Sequence, residues 1–162
     1  MSLLVRAAKV FVCLAILAAV SGCFSGGEKP ETMYTDYDKD KMDAAIAEGK
    51  ATLDQFLTRL NSPQPGDDDF ALKVRIEDSN GVEFFWVSDV KVTATGFEAK
   101  IANDPGIVKK VKIDQVYSFT PDDVADWMYF SNGVMQGNFT MRVILETMPP
   151  EEAAAMKKAV GW

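Results

Sequence analysis

Histidine is missing from this 162-residue chain altogether. With it go the commonest general base near neutral pH and the commonest metal ligand. Catalytic triads that depend on His are excluded as well. Cysteine is nearly missing: the two present, Cys13 and Cys23, both lie near the start. A domain beyond residue 23 therefore has no disulfide, no thiol nucleophile and no thiolate metal site. No Gly-rich phosphate loop is found. Basic residues are in the minority, 17 against 24 acidic ones, for a net charge of −7. Such a chain lacks the positive surface that nucleic acid or anionic lipid attracts. No nucleic-acid partner, no metal and no cofactor are expected.

What is present at the start is an address. Arg6 and Lys9 precede an apolar run over residues 10–20, followed by Val20-Ser21-Gly22-Cys23. Crossing a bilayer as a helix takes about 20 apolar residues, so this shorter run reads as a secretory signal over 1–22. Val-Ser-Gly-Cys resembles the lipobox of bacterial lipoproteins. That resemblance implies lipidation of Cys23, with diacylglycerol and a fatty acyl chain such as palmitate. It also implies that Cys23 becomes the first mature residue. Loss of Arg6 and Lys9 leaves 15 basic residues against 24 acidic ones, a net of about −9. Membrane attachment then rests on the acyl chains, several of which hold stably where one binds marginally. Phe24 after the Cys, in place of Asp, resembles Gram-negative lipoproteins of the outer membrane. The expected location is the bacterial envelope, on the outer membrane facing the periplasm.

Residues 23–40 read as the lipidated Cys and a flexible tether, and 41–162 as a single domain. Met42, Ala45, Ile46, Gly49, Leu53, Phe56, Leu57 and Leu60 make one helical stripe, predicting a long helix over 41–60. The period then changes to two. Phe70, Leu72, Val74 and Ile76 alternate with polar neighbours in a half-buried strand. Strands are expected over 82–88, 91–95, 96–102 and 111–119, with a helical turn near 106–110. Thr120-Pro121-Asp122-Asp123 is a short helix start, with Thr as cap. Asn132-Gly133 marks a hairpin. A last strand is read over 139–147, and a terminal helix from Pro150 to near Gly161. The class is α+β: a mostly antiparallel, twisted sheet of about five to six strands, with a long N-terminal helix packed on it and a short C-terminal helix.

Several acidic groups invite a chemical reading. Asp36, Asp38 and Asp40 alternate like the first ligands of an EF-hand loop, but the sixth and twelfth places hold Lys41 and Ala47 instead of Gly and Glu. Asp67, Asp68 and Asp69 form an acidic turn whose side chains diverge along a strand. Asp122 and Asp123 suit a helix N-terminus. Asp126, beside Trp127, and Asn103-Asp104-Pro105 carry two readings: corner-fixing turns with a buried Trp, or a recognition patch where loops meet. Arg142 is a possible partner of Asp126. The candidate binding patch is Asn103, Asp104, Asp126, Trp127 and Arg142.

Together these motifs resemble one family. Glu83-Phe84-Phe85-Trp86-Val87-Ser88-Asp89, Asn103-Asp104-Pro105, Asp126-Trp127-Met128-Tyr129 and Thr140-Met141-Arg142 occur in the order seen in the YegJ-like bacterial domain of unknown function, DUF2314. The resemblance covers about 42–146, and the terminal helix reads as an addition. It implies a small α+β domain and carries over no catalytic residues. The leading expectation is a non-enzymatic envelope lipoprotein, a binding module for an unidentified protein partner. Two rivals stand beside it: a carboxylate-dependent hydrolase of an envelope polymer, and an immunity or inhibitor-like protein.

Overall fold

The computed structural model describes residues 37–162. The expected signal, the lipidation of Cys23, Asp36 and nearly all of the tether lie outside the described residues. Asp38 ends the tether as a helix cap, its carboxylate accepting the backbone N–H of Asp40 at 3.0 Å and of Lys41 at 3.1 Å. The capped helix, α1, spans Lys39–Ala51.

The single helix expected over 41–60 is two. A second, α2, spans Leu53–Asn61, and Thr52 forms the joint. Its hydroxyl donates to the Glu48 carbonyl at 2.7 Å. This back-bonding competes with the helix ladder and bends it, an effect a hydrophobic stripe does not reveal. The stripe itself is correct: Met42, Ala45, Gly49, Leu53 and Phe56 are buried.

Six strands follow: β1 Asp67–Asp78, β2 Gly81–Val92, β3 Phe97–Ile101, β4 Val116–Phe119, β5 Val124–Ser131 and β6 Val134–Gly137. They form one antiparallel sheet in the order β4-β3-β2-β1-β5-β6. The α+β class is thus the observed one. The segments read as separate strands over 82–88 and 91–95 are one strand, β2. It continues past a register shift between Ser88 and Lys91, where Asp89 takes φ 54°. Asn132 and Gly133 at φ 51° and 80° make the tight β5–β6 turn, as such hairpins require.

Alternation along β1 divides the sheet into two faces. Leu72, Val74 and Ile76 join Phe85, Val87, Ile101 and Trp127 in the main core beneath Leu53 and Phe56 of α2. Ala71, Met128, Phe130 and Met135 form a second cluster on the other face, closed by Val160. The turn expected near 106–110 is a loop whose amides are collected by two carboxylates. Glu83 accepts from Gly106, Ile107 and Val108, and Asp78 from Lys109 and Lys110.

The strand read over 139–147 is a helix, α3, Phe139–Leu145. Its β-branched composition favours a strand, but packing overrides propensity. Gly137 and Asn138 turn the chain at φ 71° and 52°. Val143 then packs on Met42 and Ala45 of α1, and Leu145 on Met148 and Ala153. The terminal helix, α4, spans Pro150–Ala159 as read. Among the described residues no helix is long and apolar enough to cross a membrane.

Candidate functional site

One charged side chain interrupts the otherwise apolar run of β5. Asp126 has no exposed surface. A buried carboxylate must be hydrogen-bonded and charge-compensated. Here both oxygens are used. Trp127 N–H donates to Oδ1 at 2.8 Å, while the amide and hydroxyl of Thr140 donate to Oδ2 at 2.8 and 2.7 Å. Thr140 is the second residue of α3. Asp126 therefore caps that helix from the neighbouring strand, where the helix dipole also favours negative charge.

Lys73 supplies the cation. It sits opposite Asp126 across the β1–β5 pair, and its Nζ donates to Thr140 Oγ1 at 3.0 Å. The threonine hydroxyl thus relays between ammonium and carboxylate. The Trp86 ring, opposite Lys73 on β2, lies 5.5 Å from Nζ and completes the enclosure. Burial draws Lys73 below the usual lysine pKa, against the pull of Asp126. Burial also raises Asp126 above the usual carboxylate range, against its three hydrogen bonds. Perturbed groups of this kind are what catalytic sites use. This pair, however, offers no oxygen to a substrate, and its chemistry is that of a clamp.

The expected patch divides between two environments. Trp127 is buried on the opposite sheet face from Asp126, and its indole N–H donates to Thr52 Oγ1 at 3.0 Å. Asn103 is half-buried, its Oδ1 accepting Trp86 N–H at 2.9 Å and extending the β2–β3 pairing by a residue. Asp104 is exposed. Arg142 does not partner Asp126: its guanidinium lies over the Trp162 ring at 4.3 Å. Asp122 and Asp123 belong to a single turn, Pro121–Asp123, where Asp123 accepts the Thr120 amide and hydroxyl as a helix-start carboxylate should. Asp67 is held by the Gln64 amide at 2.8 Å and Arg59 at 3.4 Å.

Lys73 escaped the sequence reading, and Thr140 and Trp86 entered it only as parts of the family motif, not as site residues. Asp126 among apolar neighbours was the available signal, since such a carboxylate demands a cation. Lys73 looked like the wet side of a half-buried strand, and Thr140 lay in a segment read as extended.

Accessible features lie elsewhere. A surface depression of about 610 Å³ is lined by Asp54, Thr58, Arg59, Gln64 and Tyr129 among others, and by none of the expected patch residues. Beside the second cluster, Trp86, Met141 and Trp162 stay partly exposed, with Arg142 on the Trp162 ring. Phe84, next along β2, is 41% exposed. Among the described residues no group of three or more His, Cys, Asp or Glu is placed to hold a metal.

Comparison with known proteins adds kinship without chemistry. The chain is 34% identical to the Uncharacterized protein YegJ of Escherichia coli K12 over 150 residues, 92% of this chain and 95% of that one. It is 28% identical over 85 residues to a Neisseria meningitidis serogroup B protein named "Putative ankyrin repeat protein", covering 52% of this chain and 34% of that protein. No solved structure matches. Residues 39–162 match the family described as an uncharacterized protein conserved in bacteria, DUF2314. The match runs through the terminal helix, which is therefore no addition to the family's domain. With motifs, fold class and overall similarity in agreement, the chain belongs to the DUF2314 family.

Proposed function

We propose that this chain is a lipid-anchored envelope protein whose domain is a non-enzymatic binding module for a protein partner. The supporting observation is the commitment of Asp126. The acid that burial perturbs has no exposed surface and three internal donors. A carboxylate-dependent hydrolase needs two acids facing a cleft, and Asp104 is not among the partners of Asp126. What does face solvent near the clamp is Trp86, Trp162, Phe84 and Arg142. Trp and Arg are the residue types that dominate protein–protein contacts. The address rests on the lipobox-like Cys23, and Phe24 after it favours the outer membrane.

Two measurements test the two halves. Intact mass of the membrane-fraction protein is expected to show a chain starting at an acylated Cys23, and Cys23→Ser is expected to abolish acylation. A full-length, unacylated chain in the membrane would remove the anchor. For binding, a photo-crosslinker is placed at position 84 or 162 in living cells, with position 112 as control. A discrete adduct at 84 or 162 alone is expected. Its absence under every growth condition would overturn the module reading.

A further inference from the structure

Asn138 is placed oddly for its type. It occupies the N-cap position of α3, where an Asn side chain normally accepts a helix amide, yet makes no such bond. Asp126 has taken that task through Thr140. The Asn138 side chain is buried instead among sulfurs. Its Nδ2 lies 3.2 Å from Met135 Sδ, 3.2 Å from Met141 Sδ and 3.9 Å from Met128 Sδ. Thioether sulfur is a weak acceptor, and an amide nitrogen has two hydrogens for three sulfurs. The Oδ1 of the same amide is buried with no partner. Leaving a buried acceptor unmade costs about 1–3 kcal/mol, and such a group calls for an explanation, an ion among them.

We propose that Met128, Met135 and Met141, with the Asn138 amide, form a binding site for a soft monovalent cation, Cu(I) or its analogue Ag(I). Neutral thioethers suit Cu(I) and give little to hard cations, whereas zinc sites are built from thiolate, imidazole and carboxylate. The three ligands come from β5, β6 and α3, whose relative positions are set by the Gly137–Asn138 turn and the Asp126 clamp. Met135 is 2% and Met128 4% exposed, while Met141 is partly exposed beside Trp162, so the site is dry at depth with an entry at its rim. Metal–sulfur bonds of about 2.3 Å, the zinc–sulfur value, require the nearer sulfurs to close by about 1 Å. Three rotatable bonds in each methionine allow that. A swing of the Asn138 side chain about χ1 vacates the centre, and reversal of its amide then turns Oδ1 toward the ion from the side. The inference concerns this chain's own residues and stands or falls separately from the anchor and the protein partner.

The test uses the full chain carrying Cys13→Ser and Cys23→Ser, so that no thiol competes, under anaerobic, reducing conditions free of added thiol, titrated with Cu(I) against a chromophoric Cu(I) chelator. One Cu(I) per chain is expected, with no retention of Zn(II). Met135→Leu/Met141→Leu keeps apolar volume, a swap that usually costs under about 1.5 kcal/mol. It is expected to weaken Cu(I) binding by more than the roughly 10–100-fold of outer-shell changes. Met156→Leu, outside the trio, should bind as the parent does. X-ray absorption of the Cu(I)-loaded parent should show sulfur neighbours, a readout independent of how the variants fold. Failure to hold Cu(I) against the chelator, an absence of sulfur scatter, or equal loss in Met156→Leu would overturn the site.

Discussion

At the scale of single residues, Asp126 and Thr52 each connect distant segments. Replacing Asp126 with Ala strips acceptors from two backbone amides and a hydroxyl and leaves the half-buried Lys73 ammonium without its counter-charge. Removing one partner of a buried pair costs about 3–5 kcal/mol, so Asp126→Ala is expected to lose about that much in denaturant unfolding. A loss below about 1 kcal/mol would show that the clamp is dispensable. Thr52 serves twice, donating to Glu48 and accepting the Trp127 indole. Thr52→Val keeps the shape and removes both bonds, for an expected loss of about 1–2 kcal/mol. Trp127 fluorescence should shift with it, since the indole N–H loses its partner. The carboxylate was legible in the sequence as an anomaly inside an apolar run. Its threonine and lysine were not, because they lie 14 and 53 positions away.

At the scale of elements, the 104–110 loop is held by packing at one residue and by charge along its amides: Val108 is fully buried in the main core, while two carboxylates collect the backbone N–H groups around it. Its amides converge on Glu83 and Asp78 at the β1–β2 hairpin. Hydrogen bonds from the Lys109 amide, and then from Asn80, lower the Asp78 carboxyl from 3.8 to about 2. The sign follows directly. A depressed carboxylate contributes stability that is present above its unfolded pKa and is lost as pH falls through the folded one. The loop should stay anchored above about pH 4 and loosen toward pH 2, read as faster exchange at the Lys109 and Lys110 amides. Asp78→Asn should bring that loosening to neutral pH, and an unchanged exchange pattern in that variant would refute the anchoring. Helix α3 holds the other lesson at this scale. Val143, Ile144 and Leu145 gave a strand signal that the turn at Gly137–Asn138 overrode. An added Cβ at Gly137 would meet the Trp127 carbonyl at 2.3 Å, so the turn is bound to a glycine at a close approach.

At the scale of the whole molecule, the sheet is open and has two edges to protect. The C-terminus covers β6. Val160 carbonyl accepts Met135 N–H at 2.8 Å, the Trp162 indole donates to Met135 carbonyl at 2.9 Å, and Val160 is fully buried. Deleting Val160, Gly161 and Trp162 empties part of the second cluster and bares the strand. A stability loss of about 3–5 kcal/mol is expected by analogy with large core truncations, along with concentration-dependent association through the edge. Analytical ultracentrifugation and chemical unfolding check both effects, and a monomer of unchanged stability would contradict them.

Local information was enough for the class of this protein. Strand alternation, helical stripes and turn residues act over a few positions, so the α+β order and the hairpins could be read directly. The apolar start and Cys23 are a contiguous pattern as well, and the proposed anchor rests on that pattern alone. The tertiary structure decided the rest. It broke the first helix at Thr52, turned 139–145 from strand to helix, and joined Lys73 to Asp126 through Thr140. It also gathered three methionine sulfurs around one amide. Each of these depends on contacts between segments far apart in the chain, where burial and hydrogen-bond demand outweigh the preferences of neighbouring residues.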